Sequence, residues 1–189
     1  MVSGKQNGNF HSKIICRIGC YVHLKIKQLI MNHLKTIFRI SIGIMLLTIL
    51  HHFYGSLIYH DDFRLHVVFV AVPLILLIIL CYNKMKSASN VRIRNRYVWA
   101  FLITVIVTAL SGIGLFEGVY NHILKNIVYF LAHEELFLSL FPPSVYEVPG
   151  DVIFEFTGML QGVLGILLGG YLIRFFRGRM NANMEKSIQ

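Results

Sequence analysis

The 189 residues are 56 % hydrophobic and 14 % charged, with a formal net charge of +9. A soluble domain carries roughly 25 % charged residues; here the apolar residues come in long blocks rather than at helical or strand period, which excludes an ordinary soluble domain. The basic excess is no nucleic-acid footprint either, because it sits in short segments flanking those blocks.

Residues 1–34 read as a basic cytoplasmic tail. It opens with the polar "MVSGKQNGNFHSK" and continues with "IICRIGCYVHLKIKQLI". The second part mixes basic and apolar residues as a helix lying along a membrane surface does. "MNHLKTIFRISIG" makes Met31 as natural a start as Met1, so residues 1–30 read equally well as a variable extension. A cleaved signal peptide is not expected, since the first apolar block is too long and lacks a small-residue cleavage site.

Four blocks reach the length that a helix needs to cross a bilayer, about 20 residues. They cover about 36–60, 63–83, 97–117 and 151–174. The expected fold is an all-α integral membrane protein: a four-transmembrane-helix bundle over 35–176, followed by a cytoplasmic tail, 177–189. Pro73 interrupts the second span, where it removes a backbone donor. Between the third and fourth spans, 118–150 reads as an outer segment whose first part is an amphipathic helix capping the bundle. Val119, Ile123, Ile127 and Leu131 recur there at helical period, with Asn121, His122, Lys125 and Asn126 on another face. Pro142, Pro143 and the Pro149-Gly150 pair break the loop, and Asp151 begins the fourth span, where a carboxylate suits the positive helix end.

Sixteen of the 18 basic residues fall on one side of this topology, and Arg64 and Lys125 stand on the other. Basic loops stay cytoplasmic, so both termini are expected inside a plasma or inner membrane. Eight of the nine acids and six of the nine histidines lie at the opposite, outer end. Cys16, Cys20 and Cys81 all fall toward the inner side, where disulfides do not form, which argues against a quinone-linked disulfide-forming enzyme.

The stretch "HHFYGSLIYHDDFRLH" brings four histidines into the end of the first span and the start of the second. His51 and His52 stand roughly 12 Å below the outer end of span one at 1.5 Å per residue. An ionisable group at that depth faces the bundle interior or a wet cavity. Helical stepping places Ser111, Gly114, Glu117, Asn121 and Lys125 on one face of span three. The candidate metal set is His51, His52, His66, Glu117, His122 and Glu155, with Tyr59, Asp62, Arg64, Tyr120, Asn121 and Lys125 as surrounding polar groups. Imidazole and carboxylate suit iron, copper, zinc or manganese, and bundles build such sites from facing helices. A haem held by two histidines is the other cofactor this set admits. Gly158, Gly162, Gly165 and Gly169 form a helix-packing stripe in span four.

The reading is therefore a small membrane protein with a His/carboxylate cluster for redox chemistry or metal handling. The alternatives are an accessory or assembly subunit, whose cluster is a structural network, and a proton-coupled carrier. Expected partners are the bilayer and other membrane subunits or further copies of the chain, not nucleic acid. No HExxH, GxSxG, Walker loop or CxxCH is present; "HEELF" has only the start of the first.

Overall fold

A computed structural model describes the backbone of residues 7–188 and the side chains of residues 28–181 and Met184. The polar opening 1–6, the side chains of the basic segment up to residue 27 (Cys16 and Cys20 among them) and most of the final tail lie outside the described residues. Among the described residues the chain is all-helical, without strands. In order come α1 (Asn7–Tyr59), a short 3-10 turn (Asp62–Arg64), α2 (Leu65–Ser87) and α3 (Val91–Val105). A π-helical segment (Ile106–Leu124), α4 (Lys125–Leu131), α5 (Glu134–Leu140) and α6 (Val152–Ile188) follow.

Four stretches are long and apolar enough to cross a membrane: Gln28–Tyr59, Asp62–Ser87, Val91–Leu131 and Val152–Asn181. No more than 39 % of any of their most apolar windows is buried. Leu50, Phe69, Leu76 and Val107 are among the large side chains left bare. Water would penalise such surface; hydrocarbon does not, and in hydrocarbon a helix is the form that satisfies every backbone group of a single segment.

The chain divides into two units: Ile37–Gly170, and one formed by the residues on either side of it. In the second, Tyr171 meets His33, its ring centroid 6.2 Å away, and stacks under Arg174. The first unit contains every residue of the polar cluster. Its α1–α2 reversal is made at His60, which has φ 51. That left-handed conformation is uncommon outside glycine but tolerated by histidine. Asp61 then accepts the Phe63 N–H at 3.0 Å. Asn90 caps α3 by accepting from Arg92 and Ile93. Asp151 caps α6 as the sequence implies, accepting from Phe154 N at 2.8 Å.

The third span differs from its sequence reading in two ways. First, the helix does not stop near 117: α3, the π segment and α4 run on to Leu131. The expected surface helix is the continuation of the span. The cap is instead α5 with the loop after it, where Phe137 and Phe141 pack with Val128 against Tyr120, Ala132 and Tyr146.

Second, the backbone from Ile106 to Leu124 is wider than an α-helix, so that Lys125 N–H reaches the Tyr120 carbonyl five residues back. Ala109, Gly114, Gly118 and His122 are its buried residues. An α-helix would turn the last of these about 220° away from the first, at 100° per residue. The wider turn keeps them on one side. Of the face expected to hold Ser111, Gly114, Glu117, Asn121 and Lys125, Gly114 and Lys125 are buried and Glu117 and Asn121 half-buried, as expected; Ser111 is exposed instead, and His122 joins the buried side.

The buried side of the π segment meets α6 backbone to backbone. A Cβ on Gly118 would stand 2.1 Å from Gly162 N, and one on Gly165 would stand 2.5 Å from Gly114 Cα. Of the four stripe glycines, Gly162 and Gly165 are in such contacts, and Gly158 lies against the His122 ring. Gly169 makes no close contact of this kind, since a Cβ there would meet Leu110 at an ordinary 3.6 Å.

Candidate metal centre

The cluster is built from α1, the π segment and α6. Close approach of the glycines brings α6 against the π segment and puts Glu155 and Thr157 within reach of ring nitrogens. His51 and His122 are almost fully buried, at 1 % and 2 % exposure. The His51 ring lies flat on Phe154, with centroids 4.1 Å apart. His51 and His122 meet edge to face at 4.8 Å. Gly158 makes the seat for His122: a Cβ there would come within 2.2 Å of its ring carbons.

Hydrogen bonds set which nitrogen each ring presents. His51 Nδ1 is 2.9 Å from Thr157 Oγ1. The hydroxyl has one proton, and it donates that proton to the carbonyl of Ile153 or Phe154. With its proton placed there it accepts from His51, an arrangement that makes Nδ1–H the donor and leaves the lone pair on Nε2. His122 donates Nδ1–H to Glu155 Oε2 at 2.8 Å, which likewise frees its Nε2. Glu155 also receives Asn126 Nδ2 at 2.6 Å and Lys125 Nζ at 3.0 Å, so both of its oxygens are engaged.

The two freed nitrogens converge on a third acceptor. Glu117 Oε1 is 3.7 Å from His51 Nε2 and 3.5 Å from His122 Nε2. His52 Nε2 approaches the same oxygen at 3.8 Å. Glu117 is held by Asn121, whose Nδ2 donates to Oε2 at 2.8 Å. The ligand atoms of His51, Glu117 and His122 all lie within 4.8 Å of one another. His51 Nε2 finds no hydrogen-bond partner among the described residues. Acceptors facing one another at this spacing are satisfied by a proton on one ring nitrogen or by a metal ion among them. Donors about 2.1 Å from a tetrahedral metal stand about 3.4 Å apart, close to the two edges that meet at Glu117.

A strap crosses this end of the bundle. Glu147 pairs with Arg64 Nη2 at 2.8 Å, and its carbonyl accepts from Lys125 Nζ at 3.2 Å. Arg64 lies over the rings of Tyr59 and Phe154. Tyr54 donates to Asp151 at 3.2 Å. Four carboxylates (Glu117, Glu147, Asp151, Glu155) gather here against Arg64 and Lys125, a surplus of negative charge that favours a bound cation.

Of the six candidate ligands, His51, Glu117 and His122 converge, and His52 stands beside them. Glu155 points to His122 and orients it. His66 is apart from the trio: it is exposed, its Nδ1 hydrogen-bonds with the Phe63 carbonyl, and its ring rests on Phe63. Among the surrounding groups, Asn121, Lys125, Arg64 and Tyr59 are at the site. Asp62 is exposed in the turn, and Tyr120 belongs to the cap, donating to Leu140 O at 3.3 Å.

The sequence reading did not single out Thr157 and Phe154, and it put Asn126 on the polar face with His122 without placing it in the candidate set. Asn126 carried a usable signal, being one turn from His122. Thr157 carried none, because an apolar-span threonine ordinarily bonds its own helix. No family model, no curated protein and no solved structure matches the chain.

Proposed function

We propose that the chain is a four-helix integral membrane protein that holds one transition-metal ion between His51, Glu117 and His122. Both termini are cytoplasmic, as the concentration of lysine and arginine in the segments on that side requires. The metal site and the α5 cap then belong to the outer face of the cell membrane. The observation that carries the reading is the convergence of two imidazole Nε2 atoms and a carboxylate oxygen, all acceptors, in a buried space. Glu155 and Thr157 support it, since metal-binding histidines commonly donate their other N–H to a carboxylate or oxygen acceptor. Two imidazoles and one carboxylate suit iron, zinc, copper or manganese, and the role is redox chemistry or metal handling. Haem fits less well, because the His51 ring is stacked on Phe154 and meets His122 edge-on, without a flat slot between them.

Elemental analysis of the purified protein tests this. About one metal ion per chain is expected, lost in Glu117→Ala and His122→Ala variants that keep their helix content. A parent protein that neither carries metal nor takes up cobalt or zinc overturns it. That result would favour the accessory-subunit reading, in which an imidazole holds a proton and the cluster locks helices together. The carrier reading has less support. Deeper than His51, the buried polar groups among the described residues are Ser41, Thr48 and Gln161, none of them ionisable.

A further inference from the structure

We infer that the metal keeps an open coordination position, beside His52 and Asn121, that takes an exchangeable small ligand: water, hydroxide or a small anion. The inference rests on the metal reading above and states what that site would bind.

The trio supplies three donors, whereas metals of this class take four to six. Other protein groups are poorly placed to fill the remainder. Glu155 has both oxygens engaged by Lys125, His122 and Asn126, so it cannot swing to the metal without abandoning them. His66 is turned to Phe63. His52 stands outside the trio whose ligand atoms share one neighbourhood.

Two atoms around Glu117 point to what fills the position. Asn121 uses its amide N–H to hold Glu117, which leaves Oδ1 as an acceptor; that oxygen is buried and has no partner among the described residues. His52 presents its Nε2 edge to Glu117 Oε1 at 3.8 Å, too far for a direct hydrogen bond and close enough for a small ligand beside it, while its Nδ1 on the far side of the ring is buried and unpartnered. A buried amide oxygen without a donor has lost its water and gained nothing in return. A metal-bound water supplies that donor. The arrangement matches the general pattern of two histidines and one carboxylate with open positions, in which the metal activates water or binds a small substrate. A site of purely structural metal would instead be closed by a fourth protein ligand.

Cobalt(II) with azide as the added ligand tests this on the full-length protein in detergent. The cobalt-loaded protein should show a visible spectrum that shifts saturably with azide, one azide per cobalt. His52→Ala should keep stoichiometric cobalt but bind azide roughly tenfold or more weakly. Asn121→Ala, on a different helix, removes the Glu117 donor as well as Oδ1, so it should lower cobalt affinity and, on the cobalt it retains, weaken azide roughly tenfold or more. A cobalt spectrum indifferent to azide overturns the open position, as does loss of cobalt in a folded His52→Ala protein, which would make His52 the fourth ligand. Failure of the parent to bind cobalt at all overturns the metal reading itself, so the two failures are distinct.

Discussion

Replacing Gly158 by alanine adds one methyl group and leaves every candidate ligand chemically unchanged. Its Cβ would stand 2.2 Å from His122 Cγ and Cδ2. Carbon atoms sit comfortably at about 3.5 Å or more, so the ring or the helix must move by about 1.3 Å. The ring is wedged against His51 and Phe154 and tied to Glu155, so it cannot yield freely. Overpacking of this kind costs about 1–3 kcal/mol. Against it stands the higher helix propensity of alanine, worth about 1 kcal/mol. The net is a destabilisation of about 0–2 kcal/mol.

The effect on metal should be larger than the effect on stability, because ligand distances tolerate only about 0.2 Å. Gly43→Ala is the control, since a Cβ there meets nothing within 4 Å. Thermal unfolding in detergent and cobalt titration are measured side by side. Gly158→Ala should lose most cobalt binding with a modest change in unfolding, and Gly43→Ala should keep it. A Gly158→Ala protein with parental cobalt affinity and spectrum would refute the seating of His122 against α6.

Lys125→Met removes the cation that pairs with buried Glu155, and breaking a buried pair in this way costs about 3–5 kcal/mol. It should appear as a large drop in unfolding temperature, whereas Lys125→Arg should recover part of it. Asp151→Ala deletes both the cap on α6 and the acceptor for Tyr54, and a lost cap costs about 0.5–2 kcal/mol. Unfolding in denaturant reads this, and a change under 0.3 kcal/mol, taken as a threshold well below that range, would show that the cap contributes little. His66→Ala should leave metal content unchanged, because His66 is turned away from the trio; elemental analysis showing loss of metal would place it in the site after all.

Much of the fold is legible in residue order, because the solvent it implies leaves few choices. A run of twenty apolar residues must be helical if it is to satisfy its backbone in hydrocarbon. The presence of four spans, the Asp151 start of α6 and most of the glycine stripe follow from local chemistry. Glu155 and His122 were both in the candidate set, but as fellow ligands. Their bond turns one of them into an orienting group, and no spacing in a sequence separates those roles.

The third span shows why the rest stayed hidden. A step of 100° per residue is a sound expectation for a helix; it put Gly114, Glu117, Asn121 and Lys125 on the inward face, but it included Ser111, which is exposed, and left out His122. The wider π turn places Gly114, Gly118 and His122 together. Gly118 also sits where the sequence reading ended the span, and its lack of a side chain is what lets α6 come so close there.

The residue order by itself determines that four helices are apolar enough for a membrane, which ends of them are basic, and that buried histidines and carboxylates gather at the acidic end. Those follow from composition along the chain. The tertiary structure alone decides that His51, Glu117 and His122 form the convergent set, with His66 outside it. Convergence depends on a few ångströms of helix approach and on which ring nitrogen each neighbour holds. Both are set by contacts between residues as far apart in the chain as His51 and Thr157.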